Sequence, residues 1–133
     1  MTPELTALAL AGLLQMAQFC AYSITANRQV GPRVAMGPRD TPVQLTGTAG
    51  RLQRAMNNHF EGLILFTLAV VVVTLSGRSG PLTAACAWTY LAARLAYVPA
   101  YVLGLAPWRS LIWLVGFLAT AVILLSSLLP SSG

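Results

Sequence analysis

Residues 110–129 read SLIWLVGFLATAVILLSSLL, twenty positions without a charged side chain. About 20 helical residues cross a hydrocarbon core, so this run constrains the chain to a membrane. Residues 4–26, 50–76 and 82–104 are also long and mostly apolar. Lipid offers no partner for free backbone N–H and C=O groups, so every crossing segment must be helical. The expectation is an all-α, integral membrane four-helix bundle, a single domain over residues 1–133. Its spans lie at about 4–26, 50–76, 82–104 and 110–129. A connection over 27–49 holds three prolines, which argue against regular structure. GRSG before Pro81 and GLAPWR at 104–109 read as the two short turns.

Composition agrees. The chain is 56% hydrophobic with mean hydropathy +0.71, and only 8% of its residues are charged, against roughly 25% in soluble domains. The net charge of +5 comes from eight arginines and no lysine. They are scattered at 28, 33, 39, 51, 54, 78, 94 and 109, with no basic stripe that could track a phosphate backbone, which argues against nucleic acid as a partner. Their asymmetry orients the chain instead. Arg28, Arg33, Arg39 and Arg109 flank the first and third connections, while the second carries Arg78 alone. The positive-inside rule then puts loops one and three in the cytoplasm and both termini outside. Cys20 and Cys86 sit in separate apolar stretches and read as small hydrophobes, and one histidine without a Cys-x-x-Cys gives no metal pattern. The amino terminus lacks the basic patch of a signal peptide, so the first apolar segment is expected to stay in the mature chain.

The scarce polar chemistry is concentrated in RLQRAMNNHFEG, residues 51–62. At 100° per residue Arg51, Arg54, Asn58 and Glu61 share one helical face, with His59 and Asn57 off it. In the third segment Tyr90, Arg94, Tyr97 and Tyr101 share another, with Pro99 predicted to kink the helix between the last two. A charge in mid-span costs about 2.5–3.5 kcal/mol by insertion scales, so both stripes should face protein or trapped water. One reading is purely structural: Glu61 pairs with Arg54 or Arg94 and glues the bundle. Against it, Arg51, Arg54 and Arg94 share one carboxylate, and surplus guanidinium groups call for an anionic ligand. His59 points away from the stripe and is expected to hydrogen-bond a neighbouring helix or subunit. Trp88, Trp108 and Trp113 read as interfacial or packing residues.

The pattern R-x-x-R-A-x-x-N-x-x-E over 51–61, with Arg94-x-x-Tyr97-x-x-x-Tyr101, resembles the membrane-associated proteins in eicosanoid and glutathione metabolism (MAPEG), in a bacterial-type form. The resemblance covers nearly the whole chain. It implies a homotrimer that binds glutathione between neighbouring subunits near the cytosolic side. Arg51, Arg54, Asn58 and Glu61 would form one wall, and Tyr97 and Tyr101 the other; Arg28 resembles an arginine that helps hold the tripeptide, and Arg94 is a further cofactor-binding candidate. Glutathione carries two carboxylates and one ammonium, which suit the arginines and Glu61. In active members an arginine shortly after the second tyrosine activates the thiol. Here VLGLAP fills that spacing, and Arg109, eight positions beyond Tyr101, is the candidate for the role. Gly62 replaces a tyrosine of the leukotriene-synthesising branch, and Ile64 replaces a proline found in several relatives.

The leading expectation is a glutathione-dependent membrane transferase or peroxidase acting on hydrophobic electrophiles in a bacterial inner membrane. The alternative is a non-catalytic trimer that binds lipid or a protein partner. A proton-coupled exporter would need an acidic residue deep in the first span, and Glu4 lies at its edge.

Overall fold

The computed structural model describes residues 1–30, 47–105 and 107–129, with nothing described of the side chains of Gln29, Val30 and Thr48. Most of the connection expected at 27–49, with Arg33 and Arg39, lies outside the described residues. Four helices account for nearly all of the rest: α1 (Pro3–Val30), α2 (Gly47–Leu75), α3 (Pro81–Val102) and α4 (Trp108–Leu128). The fold is an all-α membrane bundle. At its two ends the expected connection is shorter than predicted, because residues 27–30 and 47–49 are helical. The first Gly-Pro pair after α1 is Gly31–Pro32, and no earlier residue interrupts helical hydrogen bonding.

Glycine sets the two short turns. Gly77 and Gly104 both have φ 70, the left-handed conformation a Cβ disfavours. Arg78 N–H reaches back to Val73 O and Gly77 N–H to Thr74 O; Leu105 N–H reaches Ala100 O and Gly104 N–H reaches Tyr101 O. These paired bonds close α2 and α3 in the same Schellman geometry. Pro81 then opens α3 and Pro107 precedes α4, where a missing N–H costs nothing. α3 runs through Pro99 to Val102.

α2 and α3 meet at the centre of the bundle. α1 packs on both from one side and α4 on both from the other, and α1 and α4 do not touch among the described residues. The core joins Ala7 and Ala11 of α1, Phe66, Ala69, Val70 and Val73 of α2, Ala87, Tyr90 and Leu91 of α3, and Ala119 and Ile123 of α4. Between lipid-embedded helices the hydrophobic effect gives little net attraction, so small alanines that let backbones approach carry the packing. Leu13, Met16, Phe19, Leu114, Leu118 and Leu125 are exposed, as a lipid-facing surface requires.

α1, α2 and α4 are each long and apolar enough to cross a membrane. α3 is not among them, because it carries Arg94 and three tyrosines. Most of that polar face is covered: Tyr90, Arg94 and Tyr97 are buried.

Candidate functional site

One end of the bundle collects the C-terminus of α1, the start of α2, the end of α3 and the start of α4. Ala26 and Ala49, with Tyr22 against them, pack the end of α1 onto the start of α2. That contact puts Arg28, exposed in the last turn of α1, at the same end as Arg51 and Arg54.

Each arginine there has a distinct environment. Arg51 donates from Nη1 to the carbonyl of Val102 at 2.9 Å, so it satisfies an orphan carbonyl at the end of α3, where the helix dipole favours a cation. Its guanidinium leaves 3.7 Å to the place a Cβ on Gly104 would take. Arg54 donates from Nε to Tyr101 Oη at 3.1 Å. Arg109 lies against the same phenol, its Cζ 4.8 Å from the ring centroid, with Arg54 Cζ at 5.9 Å. The chain reversal begun at Gly104 therefore brings Arg109 to Tyr101 despite the eight-residue separation. The rings of Tyr97 and Tyr101 lie 5.7 Å apart.

Arg94 is only 3% exposed. Nη1 donates to Asn58 Oδ1 at 3.1 Å, and Cζ sits 4.3 Å from the Tyr97 ring centroid. Nε and Nη2 have no hydrogen-bond partner. These two N–H groups share one edge of the guanidinium, the edge that receives a carboxylate in a paired fork. Glu61 is exposed and lines the same cavity as Asn58 and Arg94. The polar faces of α2 and α3 thus meet within one chain, through Arg54 with Tyr101 and Asn58 with Arg94.

Beside this polar end is an open-sided pocket of ≈ 220 Å³ lined by α2, α3 and α4. Asn58, Glu61, Tyr90 and Arg94 line it, with apolar walls from Leu65, Trp113 and Phe117. Nothing in the sequence pattern pointed to the α4 wall. The available signal was Trp113 and Phe117 four residues apart, which puts both rings on one face.

His59 is fully buried, with Nδ1 2.7 Å from Gln15 Oε1 and 3.0 Å from Gln18 Nε2. It joins α2 to α1, away from the arginines that meet at Tyr101. At the far end of the bundle, buried Glu4 accepts hydrogen bonds from Ser79 Oγ and Thr83 Oγ1, both at 2.7 Å. Arg78 there donates to the carbonyl of Leu129 and closes α4 as Arg51 closes α3. Among the described residues no cluster of His, Cys, Asp or Glu could hold a metal. Cys86 packs against the core and Cys20 is exposed; both are free thiols.

Among the described residues, guanidinium groups gather at one end of a helical membrane bundle, and Arg94 is buried there with two donor groups unpartnered. The family match is narrower. Residues 5–129 match the MAPEG family, and the chain belongs to it. Membership places it broadly among membrane proteins of glutathione-related transferase and peroxidase type. Neither the curated proteins nor the solved structures gave a significant match.

Proposed function

We propose that the protein is a glutathione-dependent transferase or peroxidase acting on hydrophobic electrophiles, assembled as a homotrimer of four-span subunits. The observation that carries this reading is Arg94: a buried guanidinium whose one bond goes to a neutral amide, with the edge made by Nε and Nη2 unpartnered. A cation in that state is costly to bury, and a carboxylate-bearing ligand would offset the cost. Glutathione supplies two carboxylates for Arg28, Arg51, Arg54 and Arg94, and an ammonium for Glu61. Tyr101 and Tyr97 close the site, and Tyr101 Oη, accepting from Arg54, keeps its own proton to donate. A thiol held near Arg54 and Arg109 would ionise more readily, because positive charge favours thiolate, and the thiolate would attack an electrophile dissolved in the lipid.

In this reading α3 also crosses the membrane. Its 22 residues extend about 33 Å at 1.5 Å per residue, and its neighbours cover most of its polar face. Loops one and three face the cytoplasm of a bacterial cell and both termini lie outside, following the arginine bias.

Titration calorimetry on detergent-solubilised protein tests the cofactor. Glutathione should bind the wild type, and Arg54→Ala should weaken it at least tenfold while the protein remains membrane-inserted. No heat at millimolar glutathione removes the reading. Conjugation of glutathione to a reactive aryl halide separates enzyme from binder. Activity that falls with Arg109→Ala supports catalysis, whereas binding without turnover supports the non-catalytic alternative.

A further inference from the structure

The two short turns differ in kind. GRSG, residues 77–80, carries an arginine and a serine, whereas VLGLAP, residues 102–107, has no polar side chain and runs into Trp108. The apolar turn is nevertheless uncovered. Leu103 is 67% exposed, Trp108 63% and Leu111 51%, with Leu105 and Pro107 exposed beside them. A contiguous apolar patch of this kind marks an interaction surface. It continues along α4 into the lipid-facing Leu114 and Leu118.

Depth places the patch. At the far end the helices are level: Glu4, near the start of α1, bonds Ser79 and Thr83 at the start of α3, and Arg78 bonds Leu129 at the end of α4. α1 has 28 residues and α3 has 22, so α1 runs about 9 Å farther at 1.5 Å per residue, and the α3–α4 turn is recessed below its end. α3 and α4, with 22 and 21 residues, extend about 33 and 32 Å, close to a hydrocarbon core of about 30 Å. The backbone of the turn is also closed without water. The N–H groups of Leu103, Gly104 and Leu105 bond Pro99 O, Tyr101 O and Ala100 O, those of Arg109, Ser110 and Leu111 bond Leu105 O and Pro107 O, and Arg51 fills the Val102 carbonyl. Surroundings poor in water require such closure.

We infer that the α3–α4 turn is a wedge set into the bilayer, with Leu103, Leu105, Pro107 and Trp108 at the boundary between acyl chains and headgroups in the leaflet on that side. The partner is the lipid surface. Tryptophan favours that boundary because its ring is apolar and its indole N–H meets a polar neighbour. Leucines set there bury apolar area that the protein itself leaves open. The wedge fixes Tyr101 and Arg109, on either side of the turn, at the depth where lipid gives way to water. It rests on helix lengths and on the composition of the turn, and is independent of which anion the arginines hold.

The test uses full-length protein in lipid nanodiscs, with Trp88→Phe and Trp113→Phe leaving Trp108 as the sole tryptophan. Its fluorescence is read against lipids brominated near the head of the acyl chain, lipids brominated near its end, and iodide in the water. Head-brominated lipid should quench it most, and iodide should quench it roughly tenfold less than free tryptophan. A second measurement uses no tryptophan. With Cys20→Ala and Cys86→Ala as background, Leu105→Cys should react with a charged maleimide roughly tenfold more slowly than Ser76→Cys, which is exposed at the opposite end. Iodide quenching equal to that of free tryptophan, or equal labelling of the two cysteines, puts the turn in water and overturns the inference. Strongest quenching by end-brominated lipid places the turn too deep for a boundary wedge and overturns it as well. Trp108 beyond the reach of both bromine and iodide means that protein covers the turn, a second copy of the chain first among the candidates, and this too overturns it.

Discussion

Arg94 is buried with part of its hydrogen-bonding capacity unused. Asn58 gives its Nη1 an acceptor, the Tyr97 ring faces its Cζ, and no carboxylate meets Nε or Nη2 among the described residues. Replacement by methionine removes an uncompensated buried charge at similar volume, at the expense of one bond to Asn58. Arg94→Met is therefore expected to melt at or above the wild-type temperature in detergent while losing at least tenfold in glutathione affinity. A melting temperature lower by several degrees would show that the cation is already neutralised inside the protein. His59 predicts the reverse pattern. Its Nδ1 lies between Gln15 and Gln18 of α1, so His59→Ala leaves the buried Gln18 and the half-buried Gln15 without that partner. The expected loss is about 1–3 kcal/mol of stability with glutathione affinity unchanged, read by thermal unfolding and calorimetry together. Both stripes were legible in the sequence because 3-and-4 spacing fixes a helical face. That Asn58 would face Arg94 was not, since pairing across helices depends on their rotation and depth, which spacing on one helix leaves open.

The helices were legible from apolar length and their short turns from glycine and proline, yet the ends moved for local reasons. Hydropathy marks where lipid ends, whereas a helix continues until something breaks its hydrogen bonds; α1 accordingly runs to Val30 and carries Arg28 on a helical turn. The position of Arg109 was hidden by the same kind of detail. Counting residues from Tyr101 put it past the family spacing, but the Schellman turn at Gly104 folds the chain back and returns its guanidinium to the Tyr101 ring. Gly104 thus makes the left-handed turn next to Arg51, whose guanidinium a Cβ there would meet at ordinary contact distance. Gly77 has an equivalent turn with open space around the place its Cβ would take. Alanine at either position should cost about 1–2 kcal/mol from the left-handed backbone alone. Only Gly104→Ala should also lower conjugation activity, because Arg51 and Arg109 depend on that end of α3. Equal activity in the two variants would separate the turn from the site.

The whole molecule presents one exposed line along α2 that is polar at one end and apolar at the other. Arg54, Asn57 and Glu61 are exposed along α2 at spacings of 3 and 4, and Ile64, Leu68, Val71 and Leu75 continue the same line to the far end. Glu61 stands 14 residues into the helix, about 21 Å along it at 1.5 Å per residue. A carboxylate at that depth is expensive against lipid, so its face needs protein or trapped water beside it. The 3-and-4 repeat is also the pattern by which helices pack in a common seam. Both requirements are met if copies of the chain join along α2, as the homotrimer proposal requires, and the polar upper third of the seam then becomes the glutathione site. The far end needs no such partner, because Glu4 is satisfied by Ser79 and Thr83 and Arg78 by the end of α4. Leu68→Trp adds bulk to the apolar part of the seam without touching any arginine. Native mass spectrometry should show trimers for the wild type and smaller species for this variant, with glutathione affinity falling in step. Monomers that keep full affinity would place the site within one chain and exclude the seam.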